Sequence, residues 1–278
     1  MEGLGEATRP HMWWRKRPAG IPTSKKTNAA CPPPRQIVVA FSSDKGYSYL
    51  VKVKAMNFKR LVLFAGHYGS GKTNIAVNIA IDLKKEGKNV VIADLDIVNP
   101  YYRTKDSEQE LNEAGIPLIS SDYANSNVDV PALPQALYSL VDQKDRYGIM
   151  DIGGDDRGAL ALGRYAPAIL EENNYEMLLV INKYRPLTPD AASTMEVMRE
   201  IEIAGGIPFT GIVNNSNLGR ETTADDVIKT HAYAMEMAKD TGLPLRMTTV
   251  KEDIAAEVAK VIPDVVPLRL QNKRLWND

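Results

Sequence analysis

The sequence LVLFAGHYGSGKT, residues 61–73, joins an apolar run to a glycine-rich segment that ends in lysine and threonine. Its second part matches the pattern G-x-x-x-x-G-K-[ST], in which glycines let the backbone wrap around phosphate oxygens and turn successive N–H groups inward. We expect Lys72 to reach the β- and γ-phosphates and the Thr73 hydroxyl to bind Mg²⁺. The segment therefore predicts a phosphate-binding loop.

An amphipathic helix is predicted directly after this loop. Ile75, Ile79 and Leu83 recur every four residues, and Gly87 supplies a C-terminal stop. The helix would direct the positive end of its dipole at the bound anion. The predicted nucleotide-binding residues of the segment are Gly66, His67, Tyr68, Gly69, Ser70, Gly71, Lys72, Thr73 and Asn74.

Short apolar runs then alternate with amphipathic stretches, which is typical of a parallel sheet covered by helices. Helices are expected to begin at Thr188 and its following proline, at Thr223 with Asp226 in capping-box spacing, and at Thr249 with Glu252. The predicted fold class is α/β, a three-layer, mostly parallel sheet with helices on both faces, the P-loop NTPase fold. Besides residues 61–65, strands are predicted at 90–93, 117–119, 147–150, 177–181 and 210–213.

Two of these strands end in acidic residues. Asp94 and Asp96 close the second strand, and Asp151 closes another, three residues before Gly154. Carboxylates at the C-terminal ends of parallel strands face the crevice where ligands of open α/β sheets bind. Asp151 is suited to bind Mg²⁺ through a water molecule, and Asp96 is suited to position the attacking water or to make a second Mg²⁺ contact. Gly154 could donate its backbone N–H to a γ-phosphate. Alternatively, these aspartates cap the following turn or helix.

Composition bounds the remaining possibilities. The 278 residues carry a net charge of -1, so no global charge attracts nucleic acid, and no apolar run is long enough to span a bilayer. The single cysteine, Cys31, fits a reducing compartment, and we expect a cytoplasmic protein. Three histidines without metal-type spacing argue against a metal-delivery GTPase.

The N-terminal residues 1–55 are predicted to be an extension, largely disordered, that the nucleotide-binding domain at 56–278 does not need. The first 35 residues are rich in proline and basic side chains and lack a sustained hydrophobic period. Residues 37–40 and 47–53 could pair as a hairpin around the turn at 43–46.

The order of these motifs resembles the MinD/ParA and nitrogenase-iron-protein group of P-loop ATPases, including the CobQ/CobB-type nucleotide-binding domains. The resemblance runs from residue 61 to about 261. It implies that Asp96 acts on the attacking water, that Asp151 and Gly154 form a second switch, and that Asn215 contacts adenine. It also implies ATP and Mg²⁺ as ligands and a homodimer in the nucleotide-bound state.

Two departures from this group are visible. Its MinD/ParA members place a lysine after the first glycine of the loop, where it reaches the partner's nucleotide, and this chain has His67 there. A histidine is shorter and mostly neutral at pH 7, so His67 either takes over the contact or packs within the loop. The paired cysteines of the iron proteins are missing from residues 56–278, which excludes that redox chemistry.

The hydrogen-bonding groups of one tetrapeptide favour ATP over GTP as the ligand. Guanine recognition in related GTPases rests on N-K-x-D, whose aspartate accepts two N–H groups, whereas the segment from Asn182 to Arg185 ends in a donor. We therefore expect an Mg²⁺-dependent ATPase in which segments 96–106 and 153–164 switch a partner protein.

Two alternatives remain open for the function. An ATP-dependent ligase or synthase that activates a carboxylate would need a second pocket, for which the candidate lining residues are Tyr101, Tyr102, Arg103, Arg157 and Arg164. A non-hydrolysing scaffold would use the nucleotide only to stabilise a dimer interface. Turnover without added substrate would separate the switch from both alternatives.

Overall fold

The computed structural model describes residues 36–42, 48–54, 56–96, 107–120, 136–154 and 156–270. In the first two ranges, strands β1 (Gln36–Ser42) and β2 (Ser48–Lys54) pair in antiparallel register, with Gln36 opposite Lys54. The predicted hairpin is therefore confirmed. Its turn and the predicted disorder of the first 35 residues lie outside the described ranges, and the domain boundary at residue 56 stays a prediction.

An eight-stranded, all-parallel sheet forms the centre of the fold, in the order β10-β9-β8-β7-β3-β6-β4-β5. Its strands in chain order are β3 (Leu61–Ala65), β4 (Val90–Leu95), β5 (Leu118–Ile119), β6 (Tyr147–Ile152), β7 (Tyr175–Ile181), β8 (Gly211–Asn214), β9 (Leu245–Lys251) and β10 (Val265–Leu268).

Eight α-helices accompany the strands within the described ranges. They are α1 (Lys72–Lys85), α2 (Glu108–Glu113), α3 (Ala136–Asp142), α4 (Asp156–Gly163), α5 (Ala166–Glu172), α6 (Ala191–Gly205), α7 (Ala224–Thr241) and α8 (Glu252–Val258). No helix among the described residues is long and apolar enough to cross a membrane.

Both faces of the sheet are buried, as β3 illustrates. Leu61 and Leu63 belong to one hydrophobic cluster, which includes side chains of α3 to α7, whereas Val62 and Phe64 belong to another, which includes α1 and α2. Successive side chains of a strand point to opposite faces, so an uninterrupted apolar strand needs helices on both sides. The predicted three-layer α/β fold is confirmed.

Two predicted helix starts are wrong. Thr188 donates its hydroxyl to the carbonyl of Asn182, and the N-cap of α6 is Asp190, whose carboxylate accepts from the Ser193 backbone N–H at 2.9 Å. Thr249 lies inside β9, and α8 follows Lys251 without a side-chain cap. The capping box of α7, in contrast, forms between Thr223 and Asp226 as its spacing predicted.

The position of β3 in the sheet determines where a ligand can bind. The chain continues from β3 to β4 and β5 on one side, returns through β6, and then builds β7 to β10 on the other side. The strand order thus reverses around β3, and ligands of open α/β sheets bind at such a reversal, beyond the carboxyl ends of the strands. The glycine-rich loop at 66–71 leaves β3 at that edge.

Candidate nucleotide site

The loop between β3 and α1 has the backbone that its glycines predicted. Gly66, Gly69 and Gly71 adopt φ values of 147°, 74° and 93°, which side-chain-bearing residues rarely adopt. Neighbouring atoms also exclude larger residues, since a Cβ on Gly66 would lie 2.4 Å from the carbonyl oxygen of Val180. On Gly71 it would lie 2.2 Å from Nδ2 of Asn215. The loop therefore depends on glycine at these places.

Lys72 folds back over the loop that precedes it. Its ammonium group donates to the carbonyl oxygens of Gly66 at 3.0 Å and His67 at 3.3 Å, and the residue is 5% exposed. The buried ammonium is thus held by backbone acceptors within the loop, where an anion cradled by the loop amides would meet it.

Thr73 meets the acidic end of β6. Its hydroxyl Oγ1 donates to Oδ2 of Asp151 at 2.6 Å, and Asp151 is fully buried. Asp151 lies beside Asp94 in the register of β6 and β4, and the Asp94 carboxylate accepts the backbone N–H of Asp96 at 2.9 Å. The predicted threonine and the three aspartates therefore gather along the carboxyl ends of two neighbouring strands.

Gly154 touches the same loop from the segment that follows β6. A Cβ at this position would lie 2.6 Å from the backbone nitrogen and 2.8 Å from the Cα of Tyr68. The absence of a side chain at Gly154 thus lets the predicted second switch lie directly against the phosphate loop. Tyr68 itself is 49% exposed.

Asn215, predicted from the resemblance to contact adenine, lies under the loop at the end of β8. Its Nδ2 donates to the carbonyl oxygen of Ser70 at 2.6 Å, and its Oδ1 accepts from Thr249 Oγ1 at 2.7 Å. An amide nitrogen carries two hydrogens, so a second donor direction is compatible with the bond to Ser70. The base contact of Asn215 stays a prediction, and the bond to the loop was not predicted.

The histidine at the second position of the loop has a lowered pKa. Burial is the main reason that the pKa of His67 lies below its ordinary value, and the nearby charges of Lys72 and Arg185 lower it further. The bond between His67 Nδ1 and the Tyr68 carbonyl, 2.9 Å long, acts in the opposite direction. Burial and the two neighbouring cations thus favour the neutral form of His67.

Arg185 is a residue of this site that the sequence interpretation missed. Its Nε donates to the carbonyl oxygen of Gly69 at 2.8 Å. The sequence interpretation considered Arg185 only as the last position of a base-recognition tetrapeptide, because its neighbour in space lies 116 residues away. Adjacency of β7 and β3 brings the two together.

The site fits a nucleotide with Mg²⁺. The three positive-φ glycines form a cradle that a Cβ would fill, and the buried ammonium of Lys72 supplies the countercharge. Mg²⁺ usually takes one or two protein oxygens and completes its shell with phosphates and water. Thr73 and Asp151 offer two such oxygens, and the described residues contain no group of three or more His, Cys, Asp and Glu that could hold a metal alone.

Several residues of the predicted second pocket and of the first predicted switch lie outside the described part of the chain. Tyr101, Tyr102 and Arg103, together with the first predicted switch beyond Asp96, lie outside the described residues, as does the side chain of Arg157. Arg164 is exposed at the end of α4.

A surface pocket lies at the amino ends of the strands, whereas the glycine-rich loop lies at their carboxyl ends. Tyr175, Thr210 and Pro244, which line it, lie at or just before the amino ends of β7, β8 and β9. A strand rises about 3.3 Å per residue, so the five residues of β3 separate the amino ends of the strands from the phosphate loop by about 15 Å. The pocket is thus separate from the nucleotide site.

Comparison with known proteins places residues 61–224, more than half of the chain, in the family model described as the CobQ/CobB/MinD/ParA nucleotide binding domain. Similar solved structures include chloroplast FtsY from Physcomitrella patens, with a TM-score of 0.50, 20% identity and coverage of 72% of this chain and 62% of that chain. Cell division protein FtsY from Thermotoga maritima has a TM-score of 0.48 and 20% identity, with 72% and 64% covered.

A third structure, Signal Recognition Particle 54 kDa protein from Aeropyrum pernix in complex with GDP, has a TM-score of 0.46 and 18% identity, with 70% and 42% covered. This chain thus spans less than two thirds of each of these three chains. At such identities the likeness concerns the fold alone. No curated protein matches the chain.

Proposed function

Since the chain belongs to the CobQ/CobB/MinD/ParA nucleotide-binding domain family, we propose that it binds ATP with Mg²⁺ and hydrolyses it as a nucleotide-driven switch on a partner protein. The observation that carries this proposal is the 2.6 Å bond between Thr73 Oγ1 and Asp151 Oδ2. It puts a hydroxyl and a carboxylate oxygen together beside the phosphate loop, and these are the ligand types that Mg²⁺ takes in phosphate sites.

Each group at the site has a defined task in this proposal. Lys72, whose ammonium group is bound to the carbonyl of Gly66, and the loop amides offset negative charge on the phosphates in this proposal. Thr73 and Asp151 would hold Mg²⁺, which would neutralise negative charge on the phosphates. Asp96 orients the attacking water, and Gly154 offers its N–H to the γ-phosphate.

The preference for ATP rests on the residue at the end of the N-K-x-D-like tetrapeptide. Arg185 is a donor only, and its Nε is engaged by the carbonyl of Gly69 rather than by a base. No carboxylate therefore comes from this position to accept the N–H groups of guanine. Asn215 is proposed to contact adenine with the second hydrogen of its amide.

The switch proposal is supported by the contact of Gly154 with the loop. A γ-phosphate that accepts the Gly154 N–H beside the loop would pull on the segment 153–164, and its release would free that segment. The segment 96–106 follows Asp96 and is proposed to respond in the same way. A homodimer of the nucleotide-bound form and a cytoplasmic location are part of the same proposal.

Turnover by the full chain with Mg²⁺ and ATP tests this function. Lys72→Ala should lower nucleotide affinity or turnover by about 100-fold or more, because the loop loses its ammonium group. Asp96→Ala should bind ATP nearly as well as the unmodified protein but turn it over at least about tenfold more slowly. Asp240→Asn, an exposed change on α7, serves as the control.

Four results would contradict the proposal. Normal turnover in both the Lys72 and Asp96 variants would remove their assigned roles. Turnover that requires an added carboxylate would favour the ligase, and Mg²⁺-dependent ATP binding with no turnover under any condition would favour the scaffold. Preferential displacement of a fluorescent adenine nucleotide by GTP would overturn the base assignment.

A further inference from the structure

Arg185 is attached to the phosphate loop by only one of its three guanidinium nitrogens. The Nε bond to the carbonyl of Gly69 is 2.8 Å long, and the terminal nitrogens Nη1 and Nη2 make no hydrogen bond to any described residue. A guanidinium carries five N–H groups in a fixed fork, so four of them remain for another acceptor. The residue is half-buried, which reduces solvent screening of its charge.

Three other arginines of the chain show what Arg185 lacks. Arg60 pairs with Glu172, Arg246 with Glu176 and Arg269 with Glu252. Arg185 forms no ion pair with any residue in the described part of the chain. Its charge is instead placed beside the glycine-rich loop, at the carbonyl oxygen of Gly69.

The turn that carries Arg185 is held by its own hydrogen bonds. The Arg185 backbone N–H donates to the carbonyl of Asn182 at 3.1 Å, and the Thr188 backbone N–H donates to the Arg185 carbonyl at 3.1 Å. Asn182 is fully buried, and its Oδ1 accepts the backbone N–H of Tyr184. The turn that carries the Arg185 side chain is thus held in place by hydrogen bonds. Ligand binding should therefore cost little conformational entropy in the backbone of this turn.

The contacted part of the loop lies at the end expected to face the γ-phosphate. Gly154, the proposed γ-phosphate donor, lies against Tyr68, and Tyr68 is followed by Gly69, the residue that Arg185 binds. A γ-phosphate that accepts the Gly154 N–H on the side of the loop near Tyr68 and Gly69 would therefore lie close to the guanidinium. The α-phosphate and the base are expected further along the nucleotide.

We propose that Arg185 is a phosphate-binding residue of its own chain's nucleotide site, in which Nε braces Gly69 and the terminal nitrogens bind the γ-phosphate. This inference rests on the proposed nucleotide function. It gives the site a second permanent cation besides Lys72. His67 is less suited to this task, since burial and the two neighbouring cations lower its pKa and disfavour its charged form.

The expected signature is discrimination between triphosphate and diphosphate. A hydrogen bond from a charged donor to phosphate is worth about tenfold to a hundredfold in affinity, and ADP has no γ-phosphate to receive it. Loss of a brace alone would instead deform the loop for both nucleotides. The ratio of the two affinities therefore separates phosphate binding from loop support.

Calorimetric titration of the full chain with Mg²⁺ and either a non-hydrolysable ATP analogue or ADP tests this inference. Arg185→Gln removes the brace and the phosphate contact together, so it should weaken binding of the analogue by about tenfold or more beyond any loss that it causes for ADP. Arg185→Lys, which keeps the charge, should lose less affinity for the analogue. Arg199→Gln, the same charge change on the exposed face of α6, should bind both like the unmodified protein.

Each other outcome is decisive. Equal losses for both nucleotides in Arg185→Gln would reduce Arg185 to a support of the loop, and affinities equal to those of Arg199→Gln would remove it from the site. Thermal unfolding of each variant identifies a loss caused by misfolding, in which case Arg185→Lys alone decides. If the unmodified protein binds neither nucleotide, the proposed function itself fails, whatever the variants do.

Discussion

Thr73 and Asp151 are 78 residues apart in the chain, and their side chains are joined by a 2.6 Å hydrogen bond from Oγ1 to Oδ2. The bond connects the first turn of α1 to the end of β6. It holds the hydroxyl oxygen of Thr73 beside a carboxylate oxygen of Asp151, and Asp151 is fully buried. A metal ion bound by both oxygens could take the place of the hydrogen that they share.

We first predict that Asp151→Asn weakens the Mg²⁺ dependence of ATP binding. The amide keeps the shape of the side chain but removes the negative charge that attracts the ion, and the Mg²⁺-dependent gain in affinity should fall by about tenfold or more. Calorimetric titrations with Mg²⁺ and with EDTA measure the gain. Asp240→Asn on α7 should keep it, and an unchanged Mg²⁺ dependence in Asp151→Asn would remove this residue from the metal site.

A second prediction concerns Gly71, where backbone strain and crowding coincide. Gly71→Ala should abolish nucleotide binding, because φ is 93° and the new Cβ would meet Asn215 Nδ2 at 2.2 Å. Gly87→Ala is the matched control, since φ is 81° there and no atom lies within 4 Å of the added carbon. Both variants should lose about 1 kcal/mol or more of stability through strain, but only Gly71→Ala should lose affinity. Normal affinity in Gly71→Ala would show that the loop tolerates another backbone.

Asn215→Ala separates the two roles of this amide. If Asn215 contacts adenine, the variant should lose about tenfold in affinity for ATP but keep its affinity for inorganic tripolyphosphate, which has no base. Competition against a fluorescent nucleotide measures both ligands. Asn112→Ala, an exposed change on α2, is the control. Equal losses for the two ligands would assign Asn215 to the loop alone, through its 2.6 Å bond to Ser70.

The fourth prediction concerns stability at high pH. Burial raises the pKa of Tyr233 to about 12, and the residue is 3% exposed. In the unfolded chain the phenol ionises near pH 10, so above that pH the unfolded state releases a proton that the folded state keeps. Stability from this group is complete below pH 10 and is lost between pH 10 and about 12, by about 2–3 kcal/mol.

Tyr233→Phe should remove this part of the high-pH decline. It should also lower stability at pH 8 by about 1 kcal/mol, because the hydroxyl loses its 2.7 Å bond with Thr194. Urea unfolding at several pH values between 8 and 12 measures both effects. Identical slopes of stability against pH in the two proteins would show that Tyr233 does not titrate as its burial implies.

The central strands and the loop were predictable because their signals are local. The apolar run of β3, the glycines of the loop and the four-residue period of α1 each lie within a few residues of one another. The two last strands were missed for equally local reasons. Polar Arg246, Thr248 and Thr249 interrupt the apolar pattern of β9, and β10 is short and contains Pro267, which an edge strand tolerates.

The sequence by itself determined the fold class, the loop that binds phosphate and the acidic strand ends, because periodicity and glycine spacing are written along the chain. Only the tertiary structure decided which distant side chains brace the loop. Arg185 reaches Gly69 across 116 residues and Asn215 reaches Ser70 across 145, and both contacts depend on strand order in the sheet. Local patterns carry no information about that order, so the contact of Arg185 with the loop became visible only when β7 was placed next to β3.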